Sequence, residues 1–115
     1  MSNFVLNSAT KKHLFEIYND INRSLYGFGT SESKIFVVDN MIIFSAQHNR
    51  VPCLMALEEK YLTLKESVDA ALMKVFKDRL SRRLEEELQL RPKAVLRDYA
   101  FDSLIAITVV VLESE

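Results

Sequence analysis

Cys53 is the only thiol in this chain, and Pro52 beside it marks the start of a helix. A helix N-terminus lowers a thiol pKa by favouring the thiolate. Nucleophilic work also needs a base, and His48 stands five residues upstream. A lone cysteine is, however, among the most often buried residue types, so the expectation is that Cys53 packs rather than reacts. The other histidine, His13, is expected on the outer side of the first helix. Metal sites favour grouped Cys, His and carboxylate ligands, and two histidines and one cysteine give no such spacing here. No catalytic centre, cofactor or metal is expected.

Other patterns also fall short of chemistry. Tyr26 to Ser31 is glycine-rich. A phosphate-binding loop needs Gly-Lys-Ser/Thr after four intervening residues, with a strand before and a helix after, and here that order is reversed. Glu58-Glu59 and Glu85-Glu86-Glu87 read as solvated helix faces, with Arg82–Glu86 and Arg83–Glu87 at the supportive i,i+4 spacing. Arg97 and Asp98 interrupt an apolar strand, one on each face of the sheet. A charge on a covered face must be paired. They are therefore either a polar anchor for a ligand or a pair near solvent at the strand end, and the second is expected.

The elements that carry these residues follow from periodicity. Leu14, Ile17, Tyr18, Ile21 and Leu25 form one helical stripe within Ser8 to Tyr26. Asn7 or Ser8 can cap its start, and Gly27 and Gly29 suit a left-handed exit. Lys34 to Val38 and Met41 to Ala46 form a hairpin around Asp39-Asn40, pairing Val38 with Met41 and Ile35 with Phe44. Pro52 opens a short helix to about Tyr61. Thr63 to Glu66 fits a capping box, and a helix of about 26 residues, roughly 39 Å, runs from there to about Leu90. Leu64, Val68, Leu72, Val75, Phe76, Leu80, Leu84 and Leu88 hold its stripe. Part of so long a helix is expected to project. After Pro92, strands Lys93 to Tyr99 and Leu104 to Leu112 enclose an Ala100–Ser103 turn. Ala94, Leu96, Asp98, Ile105, Ile107 and Val109 share one face. Val95, Arg97, Tyr99, Leu104, Ala106, Thr108 and Val110 share the other. The last strand reads as central and covered on both faces. The predicted fold is a two-layer α+β domain, order α-β-β-α-α-β-β, with a four-stranded antiparallel sheet and helices on one face.

Both faces of the first hairpin are apolar. Ile35, Val37, Ile42 and Phe44 lie on one side, and Phe36, Val38, Met41 and Ile43 on the other. Helices can cover only one. The second set, or its opposite, is left exposed in a monomer, and the second is taken as the candidate interface of a homo-oligomer, expected to be a dimer. A small-ligand-sensing domain, with a pocket between sheet and helices and Arg97 or Asp98 as anchor, is the alternative.

Bulk properties agree with one domain. The chain has 115 residues, 49% hydrophobic and 27% charged, with a formal net charge of −1. No basic excess supports nucleic-acid binding. The element order has a likeness to type II KH modules, but Lys60-Tyr61-Leu62-Thr63 stands where their Gly-x-x-Gly loop belongs. A single cysteine suits a reducing, cytoplasmic compartment. The N-terminus lacks the features of a secretory signal. The longest apolar run, Leu104 to Leu112, is too short to span a membrane as a helix.

The motif order also resembles the MpsC-like family of small bacterial proteins. The match runs through the helix bearing Ile17-Tyr18, the exit at Gly27–Gly29 and the hairpin Lys34–Phe44. It continues through Leu84-Glu85-Glu86-Glu87-Leu88, Ala94-Val95-Leu96-Arg97-Asp98 and Ile107–Glu113. The chain departs from the family at Gly27-Phe28-Gly29-Thr30, Arg50-Val51-Pro52 and Gln89 to Lys93. The resemblance implies a non-enzymatic accessory of a sodium-translocating, membrane-potential-generating system linked to inorganic-carbon uptake. It supplies no catalytic residues.

Overall fold

The first helix, α1 (Ser8–Tyr26), begins where the Asn7 side chain accepts the Thr10 N–H at 2.9 Å. It ends where Gly27 turns left-handed at φ 87° and returns its N–H to the Arg23 carbonyl. Both ends are as predicted. The chain is seen in a computed structural model that describes residues 6–114.

Strands β1 (Ser31–Val38) and β2 (Met41–Gln47) form the predicted hairpin, with Val38 opposite Met41 and Ile35 opposite Phe44. Asp39 takes the positive φ of the turn, 52°. Asn40 has another task. Its side-chain amide donates to the Leu112 carbonyl at 2.9 Å and its own carbonyl accepts the Leu112 N–H, tying the turn to the far hairpin.

The second helix is shorter than expected. α2 covers Pro52–Met55, and tight turns replace the rest, with Leu57 and Glu58 bonding three residues back. α3 (Leu62–Leu88) has Tyr61 as its N-cap residue and no side-chain cap. Thr63 is already inside the helix, and its carbonyl accepts the Ser67 hydroxyl. The predicted capping box therefore does not form. α3 ends at a left-handed Gln89, φ 53°, three residues before Pro92.

Strands β3 (Pro92–Ala100) and β4 (Ile105–Leu112) complete an antiparallel sheet of order β1-β2-β4-β3. The fold is the predicted α+β architecture, order α-β-β-α-α-β-β. The predicted face assignment holds except at Leu104, which lies in the turn at φ 62° rather than in the strand. β4 is central, as expected, but covered on one face only. Ala106, Thr108, Val110 and Leu112 are buried, while Ile105 and Ile107 are exposed.

The core sits between that covered face and the two long helices. Leu14, Ile17, Tyr18 and Ile21 of α1 and Phe76, Leu80 and Leu84 of α3 pack with Ile35, Ile42, Phe44 and Val110. The N-terminal half of α3 departs from its predicted stripe, with Leu64 and Val75 exposed.

Candidate functional site

Two features stand apart from this core. One is the open sheet face, and the other is a cavity at the end of β3.

The pleat and the strand register build the open face. Phe36 pairs with Ile43, Ile43 with Val109, and Val109 with Leu96, one apolar row across all four strands. The next row is Val38, Met41, Val111 and Ala94. On the other side runs Lys34, Ser45, Ile107 and Asp98. No helix among the described residues packs on this face. Phe36 is 49% exposed, Val38 47% and Leu96 57%. The four residues marked from sequence, Phe36, Val38, Met41 and Ile43, therefore share one surface, and β3 and β4 double it. Sequence reasoning missed that extension, which depends on β2 pairing with β4.

The cavity has a volume of about 410 Å³ and lies between α2, α3 and the end of β3. Arg97 forms part of its wall. Strand alternation puts Arg97 on the helix-covered face, and the expected position at the solvent is wrong for it. Its guanidinium carbon lies 3.8 Å from the Phe76 ring centroid, with Tyr18 and Tyr26 near 6 Å. An aromatic face stabilises a desolvated guanidinium in a way water cannot. Nη2 donates to Asn22 Oδ1 at 3.3 Å and lies 3.3 and 3.4 Å from the His48 ring nitrogens. All three contacts are long. Nε and Nη1 are covered and have no acceptor among the described residues.

Asp98 points the other way. It is exposed, and its carboxylate accepts the Tyr99 N–H at 2.8 Å, so it fits the expected place near solvent. The two charged neighbours are not brought together.

His48 is the residue sequence reasoning undervalued. Its N–H donates to the Leu104 carbonyl and its carbonyl accepts the Tyr99 hydroxyl, which pins the break after β2 to the β3–β4 turn. The ring meets the Tyr18 hydroxyl at 3.0 Å. Burial, with the Arg97 charge adding to it, holds its pKa down at about 4. His48 is thus neutral at pH 7, and burial likewise pushes the Tyr18 phenol up so that it keeps its proton. Asn22, fully buried, donates to the Tyr18 carbonyl and offers its oxygen to Arg97. A polar residue inside the apolar stripe of α1 was the available signal for this cluster.

The remaining candidates separate. Cys53 is exposed and not packed, contrary to expectation, since α2 is too short to bury it. Among the described residues no hydrogen bond joins it to His48, whose ring already meets Tyr18 and Arg97. His13 faces inward enough to donate to Glu87 of α3 at 2.6 Å, correcting its expected outward position. Arg83 bonds Glu87 at 2.5 Å and Asp20 at 3.1 Å, whereas no Arg82–Glu86 pair is found among the described residues. These partners hold the Glu87 carboxyl down at about 2. No described group of three or more His, Cys, Asp and Glu residues can hold a metal ion. No helix of the described residues is long and apolar enough to cross a membrane.

Comparison with known proteins decides nothing further. No protein-family model matches the chain, and no curated protein or solved structure matches it.

Proposed function

We propose that this chain is a non-enzymatic interaction protein that works as a dimer, built by two copies packing their open sheet faces together. The observation that carries this is the apolar row Phe36–Ile43–Val109–Leu96, which spans the whole sheet and is left bare by the protein's own helices. Bare contiguous apolar surface marks an interaction site.

The occupant that fits is a second copy, because the face is complementary to itself. A two-fold axis parallel to the strands, between β2 and β4, sets β1 over the partner copy's β3. Phe36 then meets a second Leu96, and Ile43 a second Val109. In the neighbouring row Lys34 meets a second Asp98, so opposite charges close both edges. Packed sheets lie about 10 Å apart, within reach of interdigitating side chains. Burying five or six such side chains contributes on the order of several kcal/mol before association costs.

Sedimentation of the full chain tests this. Wild type is expected to sediment as a dimer and Phe36→Asp as a monomer with an unchanged circular dichroism spectrum, since Phe36 supports no core. A wild type that is monomeric at about 100 μM overturns the proposal. The resemblance to the MpsC-like family favours a dimer that serves as a cytoplasmic accessory to a membrane ion- or bicarbonate-translocating complex. Co-purification of such a complex with the wild type but not with Phe36→Asp would link the two roles.

A further inference from the structure

We infer that the cavity between α2, α3 and the end of β3 binds a small carboxylate with an apolar body, with Arg97 as its anchor. This site is separate from the open sheet face and stands whether or not the chain dimerises.

Charge accounting carries the inference. Two ion pairs at the cavity are already closed, and the Glu66 carboxylate in its lining has no ion-pair partner among the described residues and is not bonded to Arg97. Arg50 is bonded to Glu58, and Lys65 to Asp69 at 2.8 Å. Asp98 is turned to solvent on the other face and accepts the Tyr99 N–H. Arg97 has no carboxylate partner among the described residues, only neutral Asn22 and His48. A desolvated charge is ordinarily paired. Here His48 cannot supply a negative charge, and neither can Asn22 or the aromatic rings.

The donors say what would complete the site. A guanidinium offers two bidentate edges, and each combines Nη2 with one other nitrogen. Nε and Nη1 are both without acceptors, while Nη2 holds only long contacts. Both vacant N–H groups are covered in this conformation, so a carboxylate reaches either edge when the guanidinium turns into the cavity, where it satisfies a vacant N–H and replaces contacts that are weak to begin with. The other walls say what the carboxylate should carry. Tyr26, Phe28, Leu54, Met73 and Phe101 line the cavity with apolar surface. A volume of about 410 Å³ is in the range of small-molecule sites. A doubly charged phosphate would find one unmatched cation, the Glu66 carboxylate and a greasy wall, so a monoanion with a ring or branched chain fits better.

Benzoate and its neutral isostere benzamide are the probes, titrated into the isotope-labelled full chain at pH 7 and followed by amide NMR. Benzoate is expected to shift the amides of Met73, Tyr99 and Phe101 and to bind at least ~10-fold more tightly than benzamide. Inorganic phosphate is expected to bind more weakly than benzoate. Arg97→Met should abolish the preference for benzoate. Should that variant fail to fold, Met73→Trp, which fills the cavity and leaves Arg97 alone, should abolish the shifts on its own. Equal affinity for the two probes overturns the inference. So does tighter phosphate binding, unchanged binding in Met73→Trp, or no shift at these amides up to ~20 mM benzoate.

Discussion

Arg97 and Phe76 form the junction between the sheet and the long helix, with the guanidinium carbon 3.8 Å from the ring centroid. Phe76 is fully buried and also meets the edge of Tyr18, whose ring stacks on Phe44. One aromatic ring therefore supports both the core and the cation at the cavity wall.

Replacing that ring separates the two supports. Phe76→Leu keeps an apolar side chain but loses the aromatic face and some volume. Unfolding in urea should show a loss of about 1–3 kcal/mol. Phe76→Tyr, which keeps the face, should cost less unless the added hydroxyl finds no partner.

The buried imidazole makes stability depend on pH. His48 has a folded pKa of about 4, against about 6.5 when unfolded. Between those values the unfolded chain binds the proton and the folded chain does not. Its contribution is complete above pH 6.5 and is lost as pH falls towards 4, by up to about 3 kcal/mol. Chemical denaturation at pH 7 and pH 4.5 should show the drop. His48→Gln should be less stable at pH 7 but should flatten this part of the profile.

Glu87 acts in a lower window. Arg83 and His13 hold its carboxyl at about 2, below the ordinary value, so the stabilisation is present above pH 4.5 and is lost as pH falls towards 2. Because the group is partly exposed, Glu87→Gln should cost about 1 kcal/mol or less at pH 7. The cost should shrink in high salt and disappear near pH 2. A salt-independent loss would point to packing instead.

The charges at the rims of the open face test the geometry of the dimer. Lys34→Glu and Asp98→Lys should each weaken association several-fold, and the double exchange should restore it. Loss in both single variants without recovery in the double would exclude the two-fold arrangement that sets β1 over β3.

Gly27 tests the exit of α1. A Cβ there meets nothing within 4 Å, so Gly27→Ala pays only for the left-handed backbone, φ 87°. The loss should be about 1–2 kcal/mol in thermal or urea unfolding.

Local chemistry fixed much of this architecture. Periodicities of 3.6 and 2 set the elements, short polar residues and glycine set the ends of α1, and alternation set the two faces of each hairpin. That Phe36, Val38, Met41 and Ile43 lie on one surface was readable from the sequence, because side-chain direction in a strand depends only on position. Which face the helices would choose was not, nor that β2 would join β4, since long-range pairing leaves no local trace. The same limit applies to Arg97. Its place in an apolar strand showed that one sheet face would hold a charge. Only the tertiary packing set it over Phe76 beside Asn22 and a neutral His48, because those residues come from three other elements that meet when the core closes.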